Sequence, residues 1–242
     1  MIYLIFIIGA IMGSCMGAFI SRRDNIKSFI FGRSECESCG KRIKFYNNIP
    51  IFSYIFLKGR CRDCNEKIDS SIFLIEIFTA IISSILYKKY GLGLQFYLRI
   101  LQAYLLILIA FTDIRFKYIY SLDAYLVFFL ELIYKYINSL EIIRPIVAGL
   151  FLLVIYYLIH KFSGAMGSGD VILGAISGFF ASDLFQAFII LRNSFIIAAI
   201  FSLIFVAIGY KERKDQIAFC PYIAIAIMEV ILWIFIIKIL HI

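Results

Sequence analysis

The sequence predicts an all-α polytopic membrane protein of about eight transmembrane helices, with a small cytoplasmic four-cysteine domain of zinc-ribbon type between the first two. Three observations carry that expectation. Of 242 residues, 63% are hydrophobic and only 17% charged, too apolar a balance for a soluble domain. The apolar residues gather into runs near the length of about 20 that crosses the hydrocarbon. The polar ones gather into one stretch, residues 22–70, which holds four of the six cysteines.

The runs cover residues 1–20, 71–88, 94–112, 119–137, 143–160, 170–182, 185–209 and 217–240. Met12-Gly13-Ser14-Cys15 in the first imitates a lipoprotein cleavage box. However, no basic residue precedes this run, whereas Arg22 and Arg23 follow it, the flank of a retained helix with its N-terminus outside. The sixth run is short and ends only at Ser182-Asp183, and merging it with the seventh would invert all that follows. With the N-terminus outside, the inner loops hold 17 of the 24 basic residues, leaving 7 on or near the outer side. The net charge of +8 therefore reads as a topology signal, with anionic lipid headgroups rather than nucleic acid as its partner. The expected organisation is a first span at 1–20, a cytoplasmic cysteine domain at 21–70 and a seven-helix core at 71–242.

The polar stretch carries two CxxC pairs, Cys36/Cys39 and Cys61/Cys64, separated by 21 residues. Each CxxC turn places two thiolates on one metal, and two turns complete a closed tetrahedral site whose metal is structural. Gly40 and Asn65 follow the pairs and tolerate the positive φ of such knuckles. Two disulfides or four free thiols are the alternatives, and the reducing cytoplasm disfavours the disulfides. Cys15 and Cys220 lie in apolar runs and read as buried small hydrophobes.

Carboxylates in or at the ends of spans are expensive, and each is a functional candidate. They are Glu76, Asp113, Asp123, Glu131, Asp170, Asp183 and Glu229. Asp183 falls in an outer loop, Glu131 is placed to pair within the bundle, and Glu229 has no partner evident in sequence. The topology puts Asp113, at the end of the third helix, and Asp170, at the start of the sixth, at one cytoplasmic rim. Two carboxylates that share a proton can act as an aspartic protease, one activating water and the other polarising the scissile carbonyl. Gly167 and Gly169 in AMGSGDVIL would supply unusual dihedrals and close backbone approach to a substrate strand. The helix N-terminus favours a charged Asp170. Gly-Ser-Gly-Asp is also an ordinary helix start, and Asp123 is a rival for Asp113.

Taken in order, these residues resemble the type IV prepilin peptidases, membrane aspartic proteases of the GxGD class. The resemblance covers nearly the whole chain: Gly13-Ser14 with Arg22, the four-cysteine layout with YNNIPIFSYIFLKGRC, Glu76 in LIEIFTA, Thr112-Asp113, AMGSGD and AFCPYIA. Departures are Gly17 for Asn, Tyr120-Ser121 for a Pro-Asn or Pro-Asp, Gly164 and Ile172 for charged neighbours, and Cys220 for the glycine of a PFGPF-like segment. The resemblance implies a bacterial cytoplasmic-membrane enzyme with Asp113 and Asp170 as catalytic residues. It would cleave the leader of prepilins or pseudopilins and then methylate the new N-terminus from S-adenosylmethionine. No glycine-rich nucleotide fingerprint marks a site for that donor. The contrasting reading is a noncatalytic zinc-stabilised membrane adaptor or a small transporter, though no internal repeat supports the latter.

Overall fold

The structure is a computed structural model that describes residues 1–164, 166–209 and 218–240, the last eight of these as backbone only. The basic residues of 210–216 that enter the charge count lie outside the described residues. In chain order the helices are α1 (Ile2–Arg22), α2 (Ile26–Phe31), α3 (Phe52–Phe56), α4 (Ser70–Tyr90), α5 (Leu94–Phe116), α6 (Ser121–Ile137), α7 (Ile143–Ser163), α8 (Ser168–Ser177), α9 (Leu184–Ala207) and α10 (Cys220–Leu240). Among the described residues, β pairing is confined to two isolated bridges.

Each predicted apolar run corresponds to one helix, and 170–182 is separate from 185–209. One 3-10 turn, Gly178–Phe180, extends α8, and Asp183 then caps α9 by accepting the Gln186 N–H at 2.8 Å. Among the described residues, five helices are long and apolar enough to cross a membrane: α1, α4, α5, α7 and α9. The protein is accordingly a multi-pass membrane protein. Two other helices, α8 and α6, fall short of that set for visible reasons. At 10 residues, α8 rises only about 15 Å, half the hydrocarbon thickness. In α6, Asp123, Glu131 and Lys135 interrupt the apolar character. Exposed apolar side chains such as Leu150 and Val154 of α7 or Leu203 of α9 form surfaces suited to lipid.

Two compact units divide the chain, Met1–Phe96 and Tyr97–Ile242. In the first, α1 packs on α4 through a stripe of small residues that the sequence reading passed over. A Cβ on Gly9 would lie 2.8 Å from Ala80 Cα, and one on Gly13 would lie 2.7 Å from Glu76 Cα. Gly17, one turn further on, faces Ile72. Glycines at this four-residue spacing let helix backbones touch where lipid removes any hydrophobic drive to associate.

In the second unit α7 meets α8 as closely. A Cβ on Gly178 would fall 2.6 Å from Gly149 Cα, and one on Gly174 would enter the Tyr156 ring. The Tyr156 hydroxyl bonds to Ser194 Oγ at 3.0 Å, tying α7 to α9. Helices α5 and α6 are joined by a buried charge network. Glu131 pairs with Arg99 and Lys135 and accepts from Gln102 Nε2 at 3.0 Å, while Arg99 Cζ stacks 3.4 Å from the Tyr134 ring centroid. Arg99 and Lys135 thus leave the set of outer charges: both are buried as partners of one carboxylate.

Gly13→Leu is expected to force α1 off α4 and lower the thermal midpoint in detergent, at a cost of at least about 1–3 kcal/mol. Cys15→Leu, on the exposed face of the same helix, should leave the midpoint in place. Equal midpoints for the two variants would contradict the close-packed stripe.

Candidate functional site

Three buried groups converge in the second unit. Asp113 lies in the last turn of α5, Asp170 in the first turn of α8 and Cys220 at the start of α10. A carboxylate oxygen from each aspartate and the Cys220 sulfur all lie within 4.8 Å of one another. Asp113 and Asp170 are each 7% exposed and Cys220 1%. They line one end of a cavity of about 270 Å³ whose walls include Lys117, Tyr118, Met166 and Phe219. Asp123, the rival, is buried in the first turn of α6 and is not part of this group.

The local chain explains how an aspartate reaches this position. Gly164, in the left-handed region at φ 61°, ends α7. His160 Nδ1 then bonds to the Met166 carbonyl oxygen at 2.6 Å and holds the turn into α8. The Gly167 N–H donates to Asp170 Oδ2 at 2.9 Å, the reach-back bond of a helix N-terminus, so the ordinary helix-start reading of this carboxylate is also satisfied. Its other oxygen, Oδ1, receives the Cys220 thiol at 2.9 Å. Across the site, the Cys220 N–H donates to Asp113 Oδ2 at 3.1 Å.

The two glycines play different parts in this turn. Gly167 has φ −75° and ψ 158°, open to any residue, so its contribution is the N–H. Gly169 is demanded by close approach: a Cβ there would stand 2.6 Å from Ile119 Cγ1. That contact sets the first turn of α8 directly on the segment that follows Asp113, which brings the carboxylates together.

The first unit holds the second cluster. All four sulfurs of Cys36, Cys39, Cys61 and Cys64 lie within 4.8 Å of one another, and Cys36 and Cys64 are 3.8 Å apart. Thiolates about 2.3 Å from a tetrahedral metal stand about 3.8 Å from each other, so the residues fit such an ion. The two halves repeat one fold. Cys36 N–H donates to Lys41 O and Gly40 N–H to Cys36 O; Cys61 N–H donates to Glu66 O and Asn65 N–H to Cys61 O. Gly40 at φ 66° and Asn65 at φ 63° occupy the left-handed positions expected of them. The N–H groups of Cys39 and Ser38 pull the Cys36 thiol down to about 7. For Cys64 the Glu66 N–H acts downward, but lost hydration and the neighbouring thiols hold it up at about 12. A metal ion bound by these sulfurs would hold them as thiolates.

Other candidates resolve into structure. Glu76 is buried and accepts the Ile51 N–H at 2.7 Å, which anchors the cysteine loop to α4. Ile51 has φ 66° and ψ −54°, a strained state for a β-branched residue, and the buried carboxylate holds it there. Glu229 accepts from Asn193 Nδ2 at 2.7 Å, an α9 to α10 link that sequence gave no means of pairing. Cys15 is exposed, not buried, and Cys220 is a hydrogen-bonding member of the aspartate cluster. His160 was also missed, as no pattern links a lone histidine to a turn six residues on.

A multi-pass helical protein that buries a pair of aspartates from two helices on one cavity, and carries a four-cysteine domain, has the makeup of a membrane aspartic peptidase. Two family models match: the bacterial peptidase A24 N-terminal domain over residues 7–90 and the type IV leader peptidase family over residues 100–203. The chain is 30% identical over 237 residues to a prepilin leader peptidase/N-methyltransferase of Bacillus subtilis (strain 168), covering 93% of this chain and 91% of the relative. It is 29% identical over 212 residues to a protein of that name from Vibrio cholerae, covering 81% and 84%, and 27% identical over 223 residues to one from Legionella pneumophila, covering 89% and 77%. No solved structure matches. The chain belongs to the type IV leader peptidase family.

Proposed function

We propose that this protein cleaves the leader from prepilin-like substrates and then methylates the exposed N-terminus, with Asp113 and Asp170 as the catalytic pair. The observation that carries the reading is the convergence of two buried carboxylates from α5 and α8 on one cavity. Both cannot ionise cheaply at that separation, so they share a proton. The ionised partner draws a proton from a water in the cavity while the protonated one polarises the scissile carbonyl. Gly167 and Cys220 N–H groups hold the carboxylates in place during that exchange. The name shared by the relatives supports both activities.

In this reading the eight apolar helices, the short α8 among them, lie in the bacterial cytoplasmic membrane with the N-terminus outside, and the skew of basic residues supports placing the aspartates and the cysteine domain on the cytoplasmic side. The apolar segment of a prepilin or pseudopilin would lie in the bilayer against the bundle while its leader reaches the cavity. Anionic headgroups would meet the basic loops. S-adenosylmethionine would be the methyl donor. None of the described residues forms a pattern that marks its site, and no step is assigned to it. Zn2+ bound by Cys36, Cys39, Cys61 and Cys64 would hold residues 21–70 folded, since so short a segment has little core of its own.

Asp113→Asn and Asp170→Asn should each slow cleavage of a purified prepilin by roughly 1,000-fold or more in detergent. Wild-type rates in both would sink the assignment. Separately, Cys61→Ser and Cys64→Ser should each lower the zinc content measured by elemental analysis by one ion per chain and expose residues 21–70 to limited proteolysis. A metal-free yet protease-resistant loop would remove the zinc reading.

A further inference from the structure

The position of Cys220 changes the chemistry of the aspartate pair. Where the resemblance leads one to expect glycine, this chain sets a thiol 2.9 Å from Asp170 Oδ1, inside the same 4.8 Å cluster as Asp113. Two carboxylates alone are a hard, oxygen-only pair that favours no soft metal. Adding a thiolate makes a mixed set of three ligands. Three protein ligands with an open fourth position are the pattern of metal sites that also hold water, and the cavity of about 270 Å³ beside them has room for it.

We propose that Asp113, Asp170 and Cys220 form a second metal site, one that takes a thiophilic divalent cation such as Zn2+ or Cd2+ and blocks the carboxylate pair when filled. Three features of the site favour this ion class. All three side chains are nearly enclosed, so their ligand atoms are already gathered and largely desolvated. Ligand atoms about 2.0–2.3 Å from a tetrahedral ion stand roughly 3.3–3.8 Å apart, so the thiol and Asp170, now 2.9 Å apart, need open by roughly 0.4–0.9 Å. Charge also balances. The ion displaces the thiol proton and the proton shared by the carboxylates, both of which leave to solvent through the cavity, and the net charge of the buried cluster does not change. Burying an uncompensated charge, the usual obstacle at such depth, is thereby avoided. Mg2+ and Ca2+ lack the affinity for sulfur and require more oxygen ligands than the site supplies.

Binding rests on geometry alone, whereas inhibition rests on the catalytic role proposed for the aspartates, and one experiment separates the two. The full-length protein in detergent, its four-cysteine cluster preloaded with Cd2+, is titrated with further Cd2+. Bound metal and the thiolate-to-cadmium charge-transfer absorbance are followed together with prepilin cleavage. Wild type is expected to take up one more ion and lose cleavage. Cys220→Ala and Cys220→Ser, each compared with its own metal-free rate, should need at least about 10-fold more Cd2+ for both effects. Mg2+ should inhibit none of them. Equal uptake and equal inhibition in wild type and both variants would overturn the proposal. Uptake that depends on Cys220 but leaves cleavage untouched would keep the metal site and remove the aspartates from catalysis. Loss of cleavage in Asp113→Asn and Asp170→Asn with no second ion in wild type would remove the metal site alone.

Discussion

Holding two carboxylates within a few ångströms of each other inside an apolar helical bundle is the constraint on which the second unit is organised. Burial and mutual repulsion both oppose it, so every donor near the pair has to be fixed in place. The backbone supplies two of them, the N–H groups of Gly167 and Cys220. The first of these sits on a chain turn held by the His160 bond to Met166 and by Gly164, which ends α7. The short α8 fits the same logic. It delivers its first turn to the site and is seated against α7 by Gly174 and Gly178.

The first unit solves a different problem with similar means. A loop with two CxxC knuckles has too little apolar surface to fold on its own, and it hangs from a helix pair whose glycines allow backbone contact. Glu76 joins these parts. Its helix neighbours pack against Gly13, while its carboxylate reaches the strained N–H of Ile51. One buried acid thus fixes the loop to the membrane helices, a structural use of a group whose cost in an apolar setting invites a catalytic reading.

Much of this could be read from the sequence because the signals were periodic or local. Apolar runs gave the helices, CxxC spacing gave the knuckles, and Gly40 and Asn65 fell where left-handed residues were needed. Asp113 and Asp170 were found as a pair because helix ends are placed by topology, which requires no contact information. The rest depended on contacts between distant residues. Glu229 with Asn193, and Glu131 with Arg99, are pairings that charge counting assigns to loops or leaves open. Gly9, Gly13 and Gly17 were legible as a four-residue repeat yet were overlooked for the motif around Ser14. Gly169 was legible as a place of close backbone approach, but nothing local says that Ile119 is the neighbour that needs the space. Cys220 looked like a hydrophobe because nothing local says that its thiol faces a carboxylate 50 residues away.

If Asp113 and Asp170 are one catalytic unit sharing a proton, removing the second after the first is gone should cost almost nothing more. The most direct measurement is prepilin cleavage by the double variant Asp113→Asn/Asp170→Asn beside the two single variants, under single-turnover conditions. A double-variant rate within about 3-fold of the slower single variant is the result expected of a unit. Losses that multiply, so that the double variant falls by the product of the two single effects, would show two independent groups and contradict the shared-proton pair.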